Sequence, residues 1–154
     1  MPKYYRKRFY RGGSRDKYSV EQQAGMMTIP AGSQAWATVV PDTAIQGMRK
    51  VKHLNISLAC QTDTIGYAFW CLVYVPQGTT PNTMNLTGTT GMYEPNQFVM
   101  NCGVADFNGG PLRISSPISR NLNSGDKIVL ILSNRLPTEE ISFQYVVRYA
   151  ITLQ

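Results

Sequence analysis

The chain is poor in almost everything that an enzyme or a metal protein is built from. It has one histidine, His53, and three widely spaced cysteines, Cys60, Cys71 and Cys102, with no CxxC pair. Cupin-type metal sites need several histidines and are excluded, and an odd set of distant cysteines argues against a zinc site or a disulfide framework. The cysteines are expected to be free thiols, with no metal and no cofactor bound. There is no GxSxG elbow, no GxxxxGK loop and no GxGxxG turn. The nine carboxylates are scattered, and the one adjacent pair, Glu139 and Glu140, follows Pro137 in a turn where neighbouring side chains point apart. A nucleophile-and-base pair of one cysteine with His53 finds no support in the spacing. The chain is expected not to be an enzyme.

Long apolar runs are missing too. No stretch reaches the roughly eighteen apolar residues of a membrane span, and no apolar run follows the charged start MPKYYRKRFYRGG as it would in a secretory signal. The expectation is a protein made inside a cell with no membrane insertion. The sequons Asn55-Ile56-Ser57 and Asn85-Leu86-Thr87 would then not meet the glycosylation machinery.

Acidic side chains are absent from the first fifteen residues, which carry six basic ones: Lys3, Arg6, Lys7, Arg8, Arg11 and Arg15. From Asp16 onward nine Lys or Arg face nine Asp or Glu, so the whole net charge of +6 belongs to this arm. Tyr4, Tyr5, Phe9 and Tyr10 interleave the cations. Flat rings beside cations are the chemistry of single-stranded nucleic acid, where bases stack and phosphates are neutralised. A lipid-binding arm would instead show an amphipathic helix, but the aromatics are not helically spaced and Gly12-Gly13 closes the segment. A nuclear-import signal is compatible with the same basic stretch.

Beyond the arm the chain is punctuated by thirteen glycines and nine prolines, and no window holds a helical apolar period. Eight strands are expected: 18–29, 34–40, 50–60, 65–75, 97–105, 112–116, 128–132 and 141–153. In the third, Leu54, Ile56, Leu58 and Cys60 alternate with His53, Asn55, Ser57 and Ala59, which gives one core face and one polar face. The fourth and seventh, IGYAFWCLVYV and IVLIL, are apolar on both faces, so their outer sides must lie under loops or against another subunit. Eight short strands with turn signals such as Asn108-Gly109-Gly110-Pro111 and Asn123-Ser124-Gly125-Asp126 read as an all-β sandwich or barrel. Gln77 to Asn96, rich in Thr, Asn and Gly, is a long loop. The boundary between arm and globular domain falls at 1–17 and 18–154.

In their order along the chain, KYYRKRFYR and RDKYSVEQQ, then MRKVKHLNISLAC, MYEPNQFVMNCGVADF, RNLNSGDKIVLIL and the terminal QYVVRYAITLQ resemble the capsid proteins of circular single-stranded DNA viruses that encode a replication protein, the circovirus-like group. That resemblance spans nearly the whole chain. It implies an eight-stranded antiparallel jelly-roll sandwich, assembling with identical subunits into an icosahedral shell of about sixty copies. The arm would face the lumen and bind the single-stranded DNA genome. A host nuclear-import receptor and a cell-surface attachment factor are further implied partners, and the virion and the host nucleus are the implied locations. About 360 arm cations per shell would leave many phosphates of a genome to other charges, and Arg49, Lys50 and Lys52, clustered at one strand start, are candidates to supply some. An OB-type nucleic-acid-binding barrel is the alternative, though it carries its aromatics on the barrel rather than on a tail. A trimeric cytokine-like or lectin-like sandwich leaves the arm unexplained.

Replacing Tyr4, Tyr5, Phe9 and Tyr10 by Ala is expected to weaken single-stranded DNA binding by about 1–3 kcal/mol for each base that is stacked. The salt dependence should be unchanged, because every cation remains. Fluorescence anisotropy across a salt series reads both quantities.

Overall fold

The computed structural model describes residues 17–61, 67–81, 98–106 and 110–152. These residues are all-β, with nine antiparallel strands in two sheets and no α-helix. The strands are β1 (Tyr18–Ile29), β2 (Gln34–Val40), β3 (Arg49–Cys60), β4 (Tyr67–Val75), β5 (Val99–Asp106), β6 (Leu112–Ser116), β7 (Arg120–Leu122), β8 (Lys127–Asn134) and β9 (Ile141–Thr152). One sheet has the order β1-β9-β3-β6, with β7 pairing beyond β6 on the same edge of β3, and the other has the order β2-β8-β4-β5. Eight of these strands match the expected ones to within three residues at either end. The ninth, β7, is only three residues long, too short for alternation to reveal.

Each sheet turns one parity of its strands inward. On the first sheet Met27, Ile29, Leu54, Ile56, Leu58, Phe143, Val147 and Ile151 meet Ala68, Trp70, Leu72, Ile128, Leu130 and Leu132 of the second. Two-residue periodicity alone does this, because successive side chains of a strand leave on opposite faces. The period slips once in β3. Between Lys52 and Asn55 the register against β9 shifts, and His53 takes a positive φ of 53°. An extra residue in a left-handed conformation is a β-bulge. The bulge lets Val51 and Leu54 both face the core, while His53 itself is exposed.

The strands that are apolar on both sides are closed on both sides within the chain. Cys71, Val73 and Val75 of β4 and Val129 and Ile131 of β8 form a second cluster on the outer face of the second sheet, between 0% and 4% exposed, with Phe69, Phe98 and Val99 packed against it. Trp70 and Leu72 point into the sandwich, and Phe69, Cys71 and Val73 point away from it. Burial pushes the Cys71 thiol up to about 12.

Buried polar side chains tie the sandwich together. Asn134, at the end of β8, donates to the Glu139 carbonyl at 2.6 Å and to the Pro30 carbonyl at 3.2 Å, and accepts from the Leu136 amide at 2.9 Å. The Gln23 amide of β1 reaches the carbonyls of Thr38 and Val39 at 2.9 Å. In the turn before β8, Asp126 accepts from the Tyr74 hydroxyl at 2.7 Å, from the Asn123 amide at 2.8 Å and from the Gln77 amide at 3.1 Å. Burial works against the Asp126 charge, but these donors outweigh it and hold the carboxyl below its ordinary value.

An aspartate placed on either face of the second sheet should therefore unfold the domain. Trp70→Asp buries a charge in the main core and Val129→Asp buries one in the outer cluster; each should cost on the order of 4 kcal/mol or more, a large part of a small domain's stability. Loss of the cooperative thermal melt by circular dichroism in both variants is the expected result. A folded Val129→Asp protein would show that the outer cluster is dispensable.

Candidate nucleic-acid interface

Formal neutrality beyond the arm hides an uneven placement of charge. Of the nine Lys and Arg that follow residue 16, six lie on strands of the first sheet (Arg49, Lys50, Lys52, Arg113, Arg120 and Arg148) and one, Lys127, on a strand of the second. The only carboxylate on a strand of the first sheet is Glu21. It pairs with Tyr149, whose parity is that of the core-facing residues.

The outward parity of the first sheet therefore carries cations without carboxylates. Asn55 pairs with Arg148 on one side and Ser115 on the other, and Ser57 pairs with Val146 and Arg113. Past the bulge, Lys52 pairs with Ala150, and the Lys50 amide is held by the Thr152 hydroxyl at 2.8 Å. Thr152 in turn pairs with Tyr18 at the start of β1. Together these contacts make a stripe that runs from Lys17 and Tyr18 through Lys50, Lys52 and Arg148 to Arg113 on the far strand. Val20, Met26 and Val146, exposed by 62%, 64% and 42%, lie on the same face. Cations and bare apolar surface alternate there.

Tyr18 reports the local field. The Lys52 ammonium stands 4.7 Å from the centre of its ring. A hydrogen bond from Lys52, with the charges of Lys52, Lys50 and Lys17 nearby, holds the phenol below its ordinary value of 10.0. Beside Lys50 a polar depression of about 310 Å³ is lined by Tyr74, Ser119, Arg120 and Asn121, and the Arg120 guanidinium stacks 4.2 Å from the centre of the Tyr74 ring.

The three body cations expected from the sequence separate here. Lys50 and Lys52 share the outward face, whereas Arg49 has the inward parity, is only 9% exposed and donates to the Pro41 carbonyl at 3.1 Å. Arg49 acts inside the fold, bracing the loop after β2. The arm residues Lys3, Tyr4, Tyr5, Arg6, Lys7, Arg8, Phe9, Tyr10, Arg11 and Arg15 lie outside the described residues, as does most of the loop expected at 77–96. Arg113 and Arg148 were not anticipated as site residues. Each stands alone among apolar neighbours in its own strand, and only strand pairing brings them to one face.

Among the described residues no group of three or more His, Cys, Asp or Glu side chains is placed to hold a metal ion. The chain matches no protein-family model and no curated protein.

Lys52→Gln should let the Tyr18 phenol titrate closer to its ordinary value, because the strongest cause of its depression is removed. Titration of the tyrosine ring carbons by NMR measures it. A Tyr18 curve that does not move would remove Lys52 from this corner.

Proposed function

We propose that the chain is a viral capsid protein that assembles with copies of itself into a small icosahedral shell and packages single-stranded DNA. The observation that carries this reading is the pairing of a six-cation aromatic arm with a sheet face whose charged residues are all cations. Strand orders β1-β9-β3-β6 and β2-β8-β4-β5 support a jelly-roll assignment, since sequential strands cross between sheets as two intertwined Greek keys require. In a closed shell built from such a sandwich, the cationic face and the arm would look into the lumen. Their charges would displace the counterions of the genome. The outer face of the second sheet is apolar and buried at its centre, and Lys127 is the one cation on its strands. A basic arm of this kind also serves nuclear import, so the host nucleus during assembly and the virion afterwards are the proposed locations. A host import receptor and a cell-surface attachment factor are the proposed partners. An OB-type barrel accounts less well for nine strands split between two sheets.

Full-length protein expressed in cells should yield particles of uniform diameter by negative-stain microscopy, holding nuclease-resistant nucleic acid. Protein beginning at Lys17 should still fold and should lose most of its single-stranded DNA affinity at about 150 mM salt, because the whole net charge of +6 lies in the arm. Small monodisperse species with no nucleic acid would contradict the proposal.

A further inference from the structure

We infer that Arg113 and Arg148 form a clamp for the phosphodiester backbone of a single strand, laid across β3 on the outward face of the first sheet. This inference rests on the nucleic-acid reading above and names the part of the body that makes the contact. Arg113 of β6 and Arg148 of β9 flank a shallow depression of about 270 Å³, whose outward-facing lining also includes Asn55, Ser57 and Val146. By strand spacing and register, their Cα atoms are separated by two strands sideways and two residues lengthwise, roughly 12 Å. That span lets two long guanidinium side chains converge on one phosphate or grip two successive ones.

Four properties of the depression select a phosphodiester. Both arginines are exposed, and neither guanidinium has a hydrogen-bond or ion-pair partner among the described residues. Two like charges left facing each other without a carboxylate are mutually repulsive, and an anion between them relieves that repulsion. Guanidinium matches phosphate oxygens with two parallel donors. The floor between them, Asn55 and Ser57, offers neutral hydrogen-bonding groups and no competing negative charge. Asn55 is turned back toward the bulge, its amide donating to the His53 carbonyl at 2.9 Å, so the bulge fixes one wall of the depression.

The shape selects a chain rather than a lone anion. A second depression, of about 260 Å³, shares Ser57 and Val146 with the first and continues past Ala59, Pro111 and Gln144. It has no charged lining, so it suits the sugar and base that follow a phosphate. In the other direction the cations Lys52 and Lys50 lead to Lys17, where the arm joins the body. A strand held by the arm can thus be passed across the sheet without leaving positive surface.

Anisotropy of a fluorescent oligothymidylate with the full chain tests the clamp, over a salt series and with folding checked by thermal melting. Arg113→Gln/Arg148→Gln should lower the slope of log K against log salt by about 1.4 and weaken binding roughly tenfold near 150 mM salt, at about 0.7 per phosphate contact. Arg113→Lys/Arg148→Lys should keep the slope and lose affinity, because ammonium cannot make the paired contact. Lys127→Gln/Arg135→Gln, which removes the same charge from the other side of the sandwich, should change neither. Equal effects of the two Gln pairs would reduce the result to net charge and overturn the clamp. So would complete displacement of the oligomer by inorganic phosphate at constant ionic strength, since that marks a free-phosphate site. If neutralising the six arm cations abolishes binding while the Arg113/Arg148 pair has no effect, the clamp fails and the proposed function stands. If the unaltered chain does not bind the oligomer, both fail.

Discussion

β4 and β8 must be kept from water on both sides, and this requirement divides the labour between the two sheets. Their inward side chains fill the sandwich, and their outward ones, Cys71, Val73, Val75, Val129 and Ile131, fill a second cluster that is just as dry. Each such side chain contributes about 1.5–3 kcal/mol when fully buried, so the second cluster is a substantial share of what holds the domain together. The centre of a face sealed in this way has no room for charge. Six of the seven Lys and Arg that lie on strands are on the other sheet, whose outer side stays open.

That division explains how a body of zero formal charge can present a positive surface. On the first sheet Lys50, Lys52, Arg113 and Arg148 occupy outward positions, while the carboxylates among the described residues sit in loops and turns, on the second sheet, or at the inward parity of β1. Asp126 shows the same sorting from the acidic side. Its carboxylate closes a turn by accepting from Tyr74, Asn123 and Gln77, and it lies off the strands of the first sheet. Tyr74 pays the converse cost: burial, then its bond to Asp126, push its phenol up to about 12.

Much of this was legible in the sequence, and the limits have physical causes. Alternation in Leu54 to Cys60 and in Ile141 to Ile151 reveals strands, because a period of two needs only one covered face. It did not reveal β7, whose three residues complete no period, nor the slip at His53, where a left-handed residue resets the parity of β3. Arg49 shows the consequence. It sits beside Lys50 in sequence, yet neighbours in a strand face opposite ways, and so it joins the interior rather than the surface cluster. Arg113 and Arg148 show the reverse case, 35 positions apart in the chain and brought to one side of β3 only by the pairing of β6 and β9 with it. Charge composition can be read along a chain; the polarity of a sandwich can be read only after its strands are paired.

The central claim is that nucleic acid meets the first sheet and not the second. Lysine acetylation footprinting of the full chain, with and without a single-stranded DNA oligomer and read by mass spectrometry, tests it in one experiment. Lys50 and Lys52 should become protected when DNA is bound, whereas Lys127, beside Trp36 on the other sheet, should react equally in both samples. Protection of Lys127 with Lys50 and Lys52 still reactive would contradict the account.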